Sequence, residues 1–214
     1  MKYIVFDLEF NMFFKFKEGD LVNQNLKSEI IQIGAVKLND ALETESSFQR
    51  IVKPVVYRRL NPYVRKKIKI SKEEIAGGKP FRQVMEQFCA WAEDGVLCSW
   101  GHDDILGLRN NCRYFGVNTL NFDQFINVQQ IYMKKNNLTD QPSLESAVEA
   151  LEIQTRTPFH NALSDALYTA AIFKMIYDFS AESVINWEKI QDENERIRLN
   201  KRKLREKSGK IREE

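Results

Sequence analysis

The sequence predicts an α/β domain in which a mixed sheet is flanked by helices. Strand-like segments gather in the first 53 residues, helical periodicity takes over from residue 81, and a short apolar run lies between the first two long helices. The resulting order, three strands, a helix, a strand and then helices, is that of helices packed on a mixed sheet. At 214 residues the chain suits one sizeable domain with an appendage better than two independent cores.

Tyr3 to Phe10 (YIVFDLEF) is almost continuously apolar until two acids interrupt it, as in a central strand covered on both faces. Glu29 to Leu38 (EIIQIGAVKL) and Ser47 to Lys53 (SFQRIVK) read as the next strands. The mostly polar Asn39 to Ser46 is the turn between them, which gives an antiparallel meander. Asn11 to Ser28 is then a long loop directly after the acidic strand end. Over Phe81 to Trp91, Val84, Met85, Phe88 and Trp91 share one helical face, and Ile105 to Phe115 repeats the pattern. Val96 to Trp100 between them has strand length. Further helices are predicted over Val128 to Lys134, Leu144 to Leu151 after the cap Ser143, and Leu163 to Tyr177. From Ala181 onward the pattern is that of an increasingly charged helix, so the division expected is a domain over 1–178 and a basic helical extension over 179–214.

Apolar residues at 43% and charged residues at 29% match soluble globular proteins and exclude a disordered or fibrous chain. No apolar run reaches the roughly 20 residues that cross a bilayer, and MKYIVFDLEF reads as a buried strand, so no membrane contact is expected. Cys89, Cys98 and Cys112 are odd in number and lack paired short spacings, which predicts free thiols in a reducing cytoplasm. The net charge of +2 hides an asymmetry: Arg196 to Arg212 holds nine Lys or Arg against one Glu. A second basic stretch, Arg58 to Lys72, holds seven Lys or Arg, no acid and Tyr63. That composition suits a phosphate backbone, and a solvated connecting helix would carry the same letters.

Chemistry concentrates in three places. Asp7 and Glu9, two apart on a strand, point to one face near its end, where burying both carboxylates is costly without a proton or a hard divalent cation. In SWGHDDILGLRNNC a strand ends and a helix begins near Asp103 or Asp104; Asp103 is placed as the N-cap and Asp104 could then face the cleft. In PFHNALSDALYTA, His160 precedes a helix that carries Asp165 in its early turns. A histidine beside a fixed carboxylate is a candidate general base for activating water.

Together, FDLEF at Phe6 to Phe10, WGHDD at Trp100 to Asp104 and HNALSDA at His160 to Ala166 resemble the three motifs of the DEDDh branch of the DnaQ-like 3′→5′ exonuclease superfamily. EIIQIGAVKL and ISKEEIAGGKPF are similar to that family's second strand and to its linker into the first long helix, so the likeness covers about residues 1–178. The form of the second motif and the long loop after FDLEF look most like the enhanced-RNAi exonuclease branch and bacterial relatives such as KapD. The resemblance implies a ribonuclease-H-like, mixed five-stranded sheet. It also implies that Asp7, Glu9, Asp104 and Asp165 hold two divalent metal ions, Mg²⁺ or Mn²⁺, that His160 is the general base, and that Asp104 is preferred over Asp103.

The activity so implied is stepwise release of nucleoside 5′-monophosphates from the 3′ end of a single-stranded nucleic acid, RNA in preference to DNA. Phe10 and Asn11 depart from the family pattern, where many relatives place Thr or Ser after the Glu. Phe10, Asn11 and Met12 are taken as substrate contacts, and Phe10, Met12, Phe13 and Phe14 either stack terminal bases or plug the space beneath the long loop. Two other readings stay open: a nucleic-acid-binding or regulatory protein with weak turnover, and a phosphodiesterase for short oligonucleotides on the same fold.

Overall fold

The computed structural model describes residues 1–68, 70–93, 95–117, 124–178 and 185–186. The expected meander is present. β1 (Tyr3–Met12) pairs antiparallel with β2 (Ser28–Leu38), and β2 pairs antiparallel with β3 (Thr44–Ile51). β4 (Val96–Ser99) lies parallel to β1 on its other side, followed by parallel β5 (Gln124–Asn127), for a strand order of β3-β2-β1-β4-β5. A two-residue strand, β6 (Ile185–Asn186), pairs antiparallel with β5. Ile185 and Asn186 therefore extend the sheet, where the charge pattern had predicted helix; the expected helix over the rest of 179–214 lies outside the described residues.

Alternation along β1 decides what each side of the sheet receives. Ile4, Phe6 and Leu8 join Ile33, Phe88 and Leu108 in a core beneath α3 (Phe81–Ala92) and α4 (Asp103–Phe115). Tyr3 and Val5 face the opposite core, with Val36, Val148, Tyr168 and Phe173, beneath α5 (Val128–Lys135), α6 (Leu144–Ala150) and α7 (Ala162–Ile176). Asp7 and Glu9 continue the Tyr3–Val5 face, so period-2 geometry delivers both acids to the α7 side.

One irregularity shapes the active end. Glu9 pairs with Gln32 but Phe10 pairs with Ile30, which leaves Ile31 as an extra residue in β2. This bulge sends Ile31 into a separate small cluster with Val64, Ile68, Ile70 and Ile75, under α1 (Pro62–Lys67) and α2 (Lys72–Gly77). The same kink frees the Ile30 N–H from the ladder, and the buried Asn111 Oδ1 accepts it at 3.1 Å. β1 runs on to Met12, two residues into the stretch expected as loop.

Candidate active site

Four carboxylates converge at the carboxyl ends of β1 and β4. Asp7 sits opposite Gly34 and Glu9 opposite Gln32. A Cβ on Gly34 would lie 2.1 Å from the backbone of Ala162 and Leu163, so the missing side chain lets the start of α7 rest directly on the sheet beside Asp7. Two glutamines anchor that helix end. The Ala162 N–H donates to Gln32 Oε1 at 2.9 Å, and Gln49 Nε2 donates to Asn161 Oδ1 at 3.1 Å. Asn161 also caps α7 by accepting from the Leu163 and Ser164 N–H groups.

Asp165 occupies the first turn of α7, where helix dipole and free N–H groups favour an anion. One carboxylate oxygen, Oδ2, accepts from the His160 N–H at 3.1 Å. The other, Oδ1, is buried and has no hydrogen-bond partner among the described residues. His160 holds a left-handed backbone, φ 64°, on the loop feeding the helix. The ligand-capable atoms of Glu9, His160 and Asp165 all lie within 4.8 Å of one another.

Asp104 arrives from the other parallel strand. It lies in the first turn of α4, buried, and accepts a hydrogen bond from the Leu8 backbone. Asp103 is exposed beside it. The N-cap of α4 is His102, whose side chain makes no cap bond, which corrects the expectation that Asp103 would cap this helix: α4 starts one residue earlier. His102 is held structurally, Nδ1 lying 3.0 Å from Asn127 Nδ2.

The electrostatics record the crowding. Burial pushes Asp7 well above the ordinary carboxylate range, with the neighbouring charges of Asp104, Asp165 and Glu9 adding to it. Burial and then Asp165 raise Glu9 to about 7, partly opposed by Lys67. Asp165 rises to about 6, again by burial, against the His160 N–H and Lys67. Burial, then Asp103, Glu9 and Asp165, raise Asp104, against the Leu8 bond. His160 is shifted down, by burial and then by Lys67, so its neutral form extends to lower pH.

Of the other residues read from the sequence, Phe10 packs toward α4, where a Cβ on Gly107 would lie 2.3 Å from its ring. Met12 is 46% exposed. The Asn11 side chain is taken up by the protein itself. It is fully buried, its Nδ2 donating to the carbonyls of Tyr57 and Arg59 and its Oδ1 accepting from the Asn61 N–H, so its polar atoms are spent on folding residues 57–61. Lys67, at the end of α1, is an electrostatic neighbour of Glu9, Asp165 and His160 that single-residue reasoning did not pick out, although it lies within the basic stretch Arg58 to Lys72. Cys89, Cys98 and Cys112 form no disulfide among the described residues. No helix among the described residues is long and apolar enough to cross a membrane.

Residues 4–173 match the family described as Exonuclease (RNase T), a span that contains all four acids and His160. The chain belongs to this exonuclease family. ERI1 exoribonuclease 3 of Homo sapiens and that of Bos taurus are each 28% identical to it over 160 residues, 69% of this chain and 48% of theirs. The chain thus spans about half the length of the curated relatives it matches. Its fold is that of the nuclease domain of 3′hExo, a DEDDh family member solved with rAMP (TM-score 0.69, 22% identity, 81% of this chain and 90% of that one). A 3′-exonuclease solved in recognition of a histone mRNA stem-loop superposes with TM-score 0.68 at 20% identity, over 81% of this chain and 62% of that one.

Membership in the exonuclease family implies divalent metal ions, and the donor set of this chain fits them. Four carboxylates lie in mutual electrostatic contact, and an unpartnered buried oxygen, Asp165 Oδ1, lacks the compensation that a hard cation would supply.

Proposed function

We propose that this exonuclease removes nucleotides one at a time from the 3′ end of single-stranded nucleic acid, RNA in preference to DNA, releasing nucleoside 5′-monophosphates. The observation that carries the reading is the convergence of Asp7, Glu9, Asp104 and Asp165, all with raised proton affinity, beside a histidine whose proton affinity is lowered. Environments that push titratable groups apart in this way mark acid–base sites. Support for RNA comes from the exoribonuclease relatives and from the stem-loop-recognising structural neighbour.

Asp7, Glu9, Asp104 and Asp165 would hold two divalent ions, Mg²⁺ or Mn²⁺. Bound there, the ions supply a more acidic water and offset charge on the attacked phosphodiester. His160, neutral at physiological pH, takes the proton as water attacks the terminal phosphorus; the bond from phosphorus to the 3′ oxygen of the penultimate nucleotide breaks, and that oxygen leaves as a new 3′ hydroxyl after taking a proton from solvent water. The hydrogen bond from the His160 backbone to Asp165 fixes the loop that presents the ring. Residues 1–178 form the exonuclease domain in this reading, and 179–214 a basic extension.

Single-stranded RNA and DNA oligomers labelled at either end, incubated with Mg²⁺ or Mn²⁺, test the proposal. Stepwise 5′-monophosphate release from the 3′ end is expected, faster on RNA, abolished in Asp7→Ala and reduced by roughly 10²–10⁴ in His160→Ala. Absence of metal-dependent cleavage of any polymer would overturn it.

A further inference from the structure

A cavity of about 1090 Å³ lies between residues 53–60, α1, α2 and Phe16, and none of the four acids lines it. Six cationic side chains line it, Lys53, Arg58, Arg59, Arg65, Lys66 and Lys72, and no acid does. None of the six makes an ion pair among the described residues; the ion pairs there join Lys2 and Lys37 to Glu45 and Glu93. Gathering six like charges around one concavity is unfavourable unless a polyanion occupies it.

One wall of the cavity, residues 53–60, is tethered to β1 and β2. Glu29, buried at the start of β2, accepts backbone N–H bonds from Val55, Val56 and Tyr57 at 2.6–3.2 Å. Asn11, two residues beyond Glu9, holds the Tyr57 and Arg59 carbonyls and the Asn61 N–H. The segment that presents Arg58 and Arg59 is thereby tied to the same β1–β2 pair that positions Asp7 and Glu9.

Aromatic rings extend from the cavity to α1. Tyr63 on α1 is 78% exposed, its ring 6.3 Å from Phe14; Phe14 lies 4.9 Å from Phe16, and the Arg59 guanidinium stacks 4.8 Å from Phe16. Along α1, Lys67 acts on Glu9, Asp165 and His160, whereas Arg65 and Lys66 line the cavity. A basic groove interleaved with exposed aromatic faces is the composition that binds single strands, cations following the phosphates and rings stacking the bases.

We propose that this cavity holds the phosphate backbone of the substrate strand upstream of its 3′ end, with the strand crossing α1 over the Tyr63–Phe14–Phe16 row to reach the acids. The inference rests on the nucleic-acid reading above and adds the path of the strand. It makes the enzyme's grip dependent on polymer length and salt, whereas the acids act only on the terminal phosphodiester.

The test is binding of a 5′-labelled 20-nucleotide single-stranded RNA in EDTA, followed by fluorescence anisotropy across a salt series. Wild type is compared with an Arg59→Ala/Arg65→Ala/Lys72→Ala variant whose thermal melting confirms that it is folded. Expected is an affinity loss of at least about tenfold, and a log–log salt slope shallower by roughly 2, since each neutralised phosphate of a single strand contributes about 0.7. Tyr63→Ala, an exposed position, is expected to weaken binding with the salt slope unchanged. Equal RNA affinity and slope in the folded triple variant would overturn the proposal, as would loss of binding to ATP or to a poly-Glu peptide with RNA binding intact. Hydrolysis separates the two readings: wild type that degrades 3′ ends beside a triple variant that binds like it sinks the cavity alone. RNA binding that depends on the cavity without any hydrolysis sinks the exonuclease reading alone.

Discussion

Replacing Glu9 with Gln should stabilise the metal-free protein at alkaline pH while destroying its capacity to act. The Glu9 carboxyl is raised from 4.5 to about 7, first by burial and then by Asp165. A carboxyl that binds its proton more tightly when folded contributes stability below its unfolded pKa and loses it as pH climbs through the folded value. The window here runs from about 4.5 to 7. At about 1.36 kcal/mol per pKa unit the ionised group costs the folded state roughly 3 kcal/mol at pH 8, reduced to about 2 because Glu9 is only half-buried. The amide keeps the shape and carries no charge, so Glu9→Gln should gain about 2 kcal/mol at pH 8 and less than about 1 at pH 5, where the wild-type group is protonated in the fold. Urea unfolding in EDTA at the two pH values measures both numbers. Equal effects at pH 5 and pH 8, or destabilisation at pH 8, would refute the claim that burial, with Asp165 beside it, penalises the ionised Glu9 carboxylate in the fold. Saturating Mn²⁺ at pH 8 should reverse the order, stabilising wild type and leaving Glu9→Gln behind.

Further perturbations probe the supports of the site. Gly34→Ala places a methyl 2.1 Å from the Ala162–Leu163 backbone, and should lower kcat by at least about tenfold through displacement of His160 and Asp165; wild-type turnover from a folded Gly34→Ala would show that α7 does not need this close approach. Glu29→Gln replaces one accepting oxygen with an amide nitrogen facing backbone N–H groups, and should cost about 1–3 kcal/mol in urea unfolding. Hydrolysis followed against pH should rise as His160 loses its proton, with a midpoint below the ordinary imidazole value of 6.5, because burial and Lys67 both disfavour the charged ring. Lys67→Ala removes one of those causes and should move the midpoint upward, as read from a kcat–pH profile.

The acids were legible because period-2 geometry needs no partner: Asp7 and Glu9 share a face wherever the strand lies, and YIVF before them calls for a buried strand. His160 and Asp165 were legible for a similar local reason, a loop residue followed by the first turn of a strongly apolar helix. The role of Asn11 was not. Beside an acidic strand end its amide suits a ligand as well as a backbone staple, and only the return of residues 57–61 over β1 shows which atoms it meets. The α4 cap failed by one residue because helix ends depend on backbone dihedrals that side-chain preference biases only weakly. β5 went unread as a strand, four residues being too few for a period to declare itself.

Composition and spacing alone determined the fold class, the antiparallel meander, the three acidic motifs and the basic stretch after residue 57. Each is local, decided by the period of an element or the chemistry of neighbouring residues. Tertiary structure decided the rest: that Gly34 admits α7 to the sheet, that the bulge at Ile31 turns part of β2 toward α1, that Asp104 and Asp103 part ways, and that six cations face one cavity. These depend on which distant segments meet. Contact between residues a hundred positions apart is set by the packing of whole faces, for which no single segment carries the signal.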